Sequence, residues 1–195
     1  MPRLEQQLDH NSFVHVPRTG GTAMWEAVGR KGYPTGARGQ HLQHITASRL
    51  RELQPWRFDD KIVIGVFRNP WPRLISLWSF LYHDSEDMTP ANFRAWINGG
   101  MMNRWGKIPT LYEDEPGESP ISLLSPQRVW LDDPALMIVH HDNIGNFTPA
   151  YDSGRKERHN GGWWEPNKDW YDGASRRKVM IVIEPDLDFQ NERNL

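Results

Sequence analysis

A chain of 195 residues predicts one domain, long enough to bury a core around a sheet. Its formal charge of −2 excludes a global basic field, so nucleic acid is not expected as a partner and any anion site has to be local. The absence of cysteine excludes disulfides and thiolate metal sites. With no apolar stretch behind the N-terminal charges, and no run near the roughly 18 apolar residues of a spanning helix, a cytoplasmic protein without membrane contacts is expected.

In chain order, Ser12–Val16 is a short β-branched apolar run that stops at Pro17, and Thr22–Val28 follows with helix-compatible composition. That is strand, glycine-bearing turn, helix. Residues 32–39 read as a Pro/Gly loop before a short helix over Thr46–Leu53. Lys61–Phe67 is the strongest strand, a nearly unbroken apolar run of the kind covered on both faces in a parallel sheet. Arg68-Asn69-Pro70-Trp71-Pro72 punctuates it, and Arg73–Tyr82 takes up a helical period.

Thr89 reads as an N-cap with Pro90 at the first helical position, opening a helix that Gly99-Gly100 ends. An acidic loop covers 113–119, Ser125–Leu131 is a helical candidate, and Ala135–His140 is a third buried-type strand. Residues 151–173 turn polar and aromatic, as a long ordered loop does. Lys178–Ile183 is ambiguous, with propensity favouring a strand. Strands alternating with helices imply an α/β domain with a mostly parallel sheet, whose ligands bind at the carboxyl ends of the strands. The ten tryptophans are read first as packing residues, with stacking on a sugar or adenine as the second use.

Two turns carry the chemistry. In the first, Gly20 and Gly21 let backbone N–H groups converge on an anion, and the helix opening near Thr22 adds its positive end. Arg18 supplies a cation, and the Thr19 and Thr22 hydroxyls can donate to phosphate or sulfonate oxygens. The Walker spacing G-x-x-x-x-G-K-[ST] is absent, and an ordinary glycine connection would have the same sequence. In the second, Arg68 stands at the end of the central strand and Ser76 lies eight residues on, a guanidinium and a hydroxyl suited to gripping a terminal phosphate. Two anion-suited turns suggest a ligand charged at both ends.

Phe-Val-His-Val-Pro-Arg-Thr-Gly-Gly-Thr at 13–22 resembles the 5′-phosphosulfate loop of the sulfotransferases that use 3′-phosphoadenylyl sulfate (PAPS). Val-Phe-Arg-Asn-Pro-Trp-Pro-Arg-Leu-Ile-Ser-Leu-Trp at 66–78 resembles their 3′-phosphate motif. The likeness is to the branch of the heparan sulfate 2-O-sulfotransferases and their soluble bacterial and viral relatives. It spans roughly the first 80 residues and continues more weakly at Gln127, Asp142-Asn143-Ile144 and Asp186–Phe189. The chain departs from the pattern at Arg18, Pro72 and Trp78, where lysine, aspartate and tyrosine are common; Arg18 keeps the charge on a bulkier, planar group.

The resemblance implies a P-loop-NTPase-like three-layer sandwich, a single sulfotransferase domain over 1–195, PAPS as donor, 3′,5′-ADP as product and no metal. Pro17, Arg18, Thr19, Gly20, Gly21, Thr22, Arg68 and Ser76 would bind the donor. It also implies a catalytic histidine upstream of the 3′-phosphate strand, which points to His44 first and His41 second as general base, with Arg18 stabilising the leaving group.

Of the other histidines, His15 is expected in the core, and His140 and His141, as neighbours in a strand, on opposite faces. Residues 155–160 form a cationic stretch suited to covering the nucleotide. Trp163 and Trp164 suit a carbohydrate acceptor. The alternatives are an atypical P-loop small-molecule kinase, which needs a strand-end Asp where Phe67-Arg68 stands, and a non-catalytic nucleotide-binding or assembly module, which would keep the turns without a base.

Overall fold

A computed structural model describes residues 12–21, 24, 44–59, 62–82, 87–99, 123–146 and 168–195. They divide into two compact units, one from residues 1–68 and 127–161, the other from 69–126 and 162–194.

The first unit is an α/β assembly on three parallel strands, β1 (Ser12–Val14), β2 (Val63–Phe67) and β3 (Met137–His140), in the order β1-β2-β3. Ser12 pairs with Val63 and Val14 with Gly65; on the other side Ile64 pairs with Met137 and Phe67 with His140. Every residue of β2 is buried, as its unbroken apolar run predicts for a central strand. Gly65 leaves space there for Leu131, whose Cδ2 would stand 2.4 Å from a Cβ and would have to shift for any larger residue. β1 is shorter than the Ser12–Val16 run, since Pro17 has no N–H for a ladder and restricts Val16 before it. Phe13, Met24, Ile64, Val66, Val139 and Ile144 form the core.

Helix α1 (Ala47–Leu53) opens where the sequence predicts it, with the Thr46 hydroxyl accepting from the Arg49 N–H at 3.2 Å. Its first turn is held by Ala47 N–H donating to the Trp130 carbonyl (2.9 Å) and by Ser48, whose amide and hydroxyl both donate to the Asp132 carboxylate. Within Ser125–Leu131 only Gln127–Val129 turns, as a 3-10 helix. The predicted helix is cut short because the Gln127 side chain is drawn onto the backbone of Arg68.

The second unit holds α2 (Pro70–Tyr82), α3 (Pro90–Asn98) and α4 (Gly173–Arg193). Leu74, Leu77, Trp78, Phe93, Trp96, Trp170, Tyr171, Val179 and Ile183 make its core. Phe93 meets Trp78 and Tyr171 edge-on at 5.5 and 5.1 Å, and the Tyr171 hydroxyl donates to the Trp71 carbonyl at 2.7 Å. Packing is therefore the use of Trp78, Trp96, Trp130 and Trp170, all buried.

The strand expected over Lys178–Ile183 is instead the middle of α4. Asp172 and Ser175 cap each other reciprocally at its start, and Ser175, Val179, Ile183 and Asp186 are buried at helical spacing while Met180 and Ile181 face outward. A capped helix that buries one residue per turn overrides the β-propensity of Val-Met-Ile-Val-Ile. Among the described residues no helix is long and apolar enough to cross a membrane.

Candidate functional site

The carboxyl end of β1 delivers His15, Val16 and Pro17, all buried, into a loop with left-handed backbone at Arg18 (φ 65°) and Gly20 (φ 91°). Helical geometry begins at Gly21, and the Met24 N–H donates to the Gly20 carbonyl at 3.2 Å. Thr19 is fully buried, and its hydroxyl donates to the Val16 carbonyl at 2.9 Å, so that proton closes the loop instead of reaching a phosphate or sulfonate oxygen. Neither glycine has room for a side chain. A Cβ on Gly21 would lie 1.8 Å from His15 Cδ2, and one on Gly20 would lie 2.7 Å from Ile144 Cδ1 and 3.2 Å from His141 Cδ2.

Arg18 is a non-glycine residue in the left-handed region, which costs roughly 1–2 kcal/mol. Burial also holds its guanidinium below the ordinary arginine pKa. Arg18→Gly is accordingly expected to leave stability unchanged or raise it by about 1 kcal/mol in urea denaturation, the relief of strain outweighing the entropy of a more flexible unfolded chain, while weakening anion binding. A clear loss of stability would show that Arg18 is kept for packing.

Arg68 leaves the end of β2 with its backbone bracketed by one side chain. Its N–H donates to Gln127 Oε1 at 2.9 Å and its carbonyl accepts from Gln127 Nε2 at 2.7 Å. The guanidinium, almost wholly buried, is turned onto the glycine loop, where Nη1 donates to the Arg18 carbonyl at 3.1 Å. Both arginines therefore belong to one loop, brought together by the parallel pairing of β1 with β2.

His44 sits just before α1, its own carbonyl accepting from Trp130 Nε1 at 3.3 Å. Its Nδ1 is 2.9 Å from the His15 carbonyl. A carbonyl only accepts, so Nδ1 carries the proton and Nε2 presents its lone pair. Burial lowers the His44 pKa, partly offset by that hydrogen bond, and keeps the ring neutral near pH 7. The His15 ring packs 4.6 Å from it; burial first, then His44 and Arg18, push His15 down to about 3.

Pro17, Arg18, Thr19, Gly20, Gly21, Arg68 and His44 thus all lie in the first unit, around the ends of β1 and β2. Ser76 lies on α2 in the second unit, where it is buried. Thr22, His41, the cationic stretch 155–160 and Trp163-Trp164 lie outside the described residues.

His15 is buried as expected, but its ring fills the space left by Gly21 and stacks near His44, so it belongs to the site as well as to the core. His140 and His141 do not share a strand: β3 ends at His140 and a 3-10 turn (His141–Asn146) starts at His141. The alternation expected of strand neighbours is lost, and both Nδ1 atoms reach the Asp142 carboxylate at 3.4 Å. No family model, curated protein or solved structure matches the chain.

Proposed function

We propose that the chain is a sulfotransferase moving a sulfuryl group from PAPS to an acceptor hydroxyl, a carbohydrate hydroxyl being the class that Trp163 and Trp164 suit. The observation that carries this is the Arg68 guanidinium on the Arg18 carbonyl, which gives the glycine loop two arginines at the ends of adjacent parallel strands. Two guanidiniums and loop amides form a donor set for a phosphosulfate, and ligands of parallel sheets bind at this end of the strands. The three parallel strands accord with the P-loop-NTPase-like three-layer sandwich that this function brings with it. A kinase would need a carboxylate to hold Mg²⁺ where Arg68 stands.

PAPS supplies an activated sulfuryl group with 3′,5′-ADP as its leaving group. Arg68, turned onto the glycine loop, shares with Arg18 the grip on the 5′-phosphosulfate. Arg18 and the amides of Thr19, Gly20 and Gly21 offset negative charge on the leaving oxygen. His44, its Nδ1 proton anchored on the His15 carbonyl, accepts the acceptor's hydroxyl proton at Nε2. Rate acceleration then comes from alignment and charge stabilisation, with no metal required of the protein.

Calorimetry with 3′,5′-ADP in the presence of EDTA tests the donor site. Binding is expected, and Arg68→Ala is expected to weaken it about 10- to 100-fold, the loss of one or two charge-assisted hydrogen bonds. The Gln127 bracket grips backbone atoms and survives the substitution, so losing the bond to the Arg18 carbonyl is expected to lower stability by only about 1 kcal/mol. Binding of GTP or 2′-deoxy-ATP with Mg²⁺, and none of 3′,5′-ADP, would sink the proposal.

A further inference from the structure

We infer that His141 is a proton-carrying arm of the anion site: when an anion seats on the glycine loop, Nε2 of His141 takes a proton from solvent and donates it to the anion as a hydrogen bond. This rests on the anion site proposed above, and not on sulfuryl transfer itself.

The geometry begins where β3 stops. His141 opens the 3-10 turn, and its Nδ1 lies 3.4 Å from Asp142 Oδ1. A carboxylate only accepts, so Nδ1 carries the ring proton and Nε2 is bare. The Cδ2–Nε2 edge faces Gly20, 3.2 and 3.5 Å from where a Cβ would stand. The side chain is 12% exposed, and among the described residues Nε2 has no hydrogen-bond partner. A nitrogen on a half-buried ring is thus held against the one loop glycine with left-handed backbone, and no hydrogen bond inside the described protein uses it.

Several charged or titratable groups act on this ring. Arg68 faces it from the end of β2 and opposes protonation; Asp142 favours it; His140, beside it, opposes it. From the glycine loop comes Arg18, whose carbonyl holds Arg68. Burial first, then Arg68, push His141 down to about 4, against the pull of Asp142, so the ring is neutral in the free protein near pH 7. An anion on the loop offsets the repulsion from Arg68 and attracts an imidazolium, raising the pKa in the complex. The complex then binds more protons than the free protein between about pH 4 and that raised value, and affinity increases as pH falls through this window. A third fixed cation would have to stay buried in the empty site, whereas this one forms only when its counter-charge arrives.

Adenosine 5′-phosphosulfate is a suitable probe. It lacks the 3′-phosphate, whose second ionisation near pH 6 would obscure the result. Its affinity and proton uptake are measured by calorimetry between about pH 7.5 and pH 5.5, in buffers of different ionisation enthalpy. For the wild type, affinity is expected to rise towards about tenfold per pH unit with uptake approaching one proton. His141→Gln, which hydrogen-bonds but does not titrate, is expected to bind with a flat profile. A flat wild-type profile, or a slope that His141→Gln retains, overturns the inference and leaves the donor site standing. If the nucleotide fails to bind but inorganic sulfate binds with a slope that His141→Gln removes, the inference holds and the PAPS proposal falls. Binding of neither overturns both.

Discussion

His44→Ala is expected to lower sulfuryl transfer by about 10²- to 10⁴-fold while 3′,5′-ADP binding stays within about twofold of wild type. The two readouts separate because His44 contributes no cation to the loop. Its tie to it is a hydrogen bond to the His15 carbonyl and a ring contact with His15. Losing that bond costs about 1 kcal/mol of stability, too little to unfold the loop. The pH dependence has a definite sign: a general base works unprotonated, so activity falls as pH drops through its pKa. Burial sets that pKa below the ordinary histidine value of 6.5 in the free protein, so the acid limb of kcat/KM is expected below pH 6.5. His44→Ala removes the limb together with the rate. Full activity in His44→Ala would transfer the role to His41 or another residue.

Local features of this fold are legible in the sequence because the forces that make them are local. Thr46 and Thr89 cap their helices through bonds to residues three positions on, and the apolar run at Val63–Phe67 follows from burial on both faces. Lys178–Ile183 is not legible in this way. Its β-branched residues favour a strand, and what makes it a helix is the Asp172–Ser175 cap together with the burial of Val179 and Ile183 in the core around Trp78 and Phe93.

The site divides along the same line. Arg18, Gly20, Gly21 and Arg68 are marked by position, each at the end of an apolar strand run, although the bond from Arg68 to Arg18 spans 50 residues and exists only because β1 pairs with β2. Gln127 enters only through the family resemblance, and His141, although it too follows an apolar strand run, is expected only as a strand neighbour of His140. The first brackets the Arg68 backbone from 59 residues away, and the second meets Gly20 only because β3 ends one residue before it.

The largest effect on folding is expected at Asp186. In the second unit Arg73 and Asp186 are both buried, with Nη1 and Oδ2 3.8 Å apart, while Nη2 of Arg73 donates to the Leu123 carbonyl at 2.9 Å and Nη1 to the Ser125 carbonyl at 3.3 Å. Burial lowers the Arg73 pKa and Asp186 opposes it, leaving it at about 10, so the guanidinium stays charged at neutral pH. Asp186→Ala therefore leaves a buried cation without its carboxylate, and about 3–5 kcal/mol of stability is expected to be lost in urea denaturation. The carbonyls keep part of the solvation of Arg73 but supply no net charge. Arg73→Met with Asp186→Leu removes both charges at similar volume, and the double variant is expected to be markedly more stable than Asp186→Ala alone, since desolvating the pair offsets most of its attraction. Equal losses in the single and double variants would mean that Asp186 acts through packing of α4 and not through its charge.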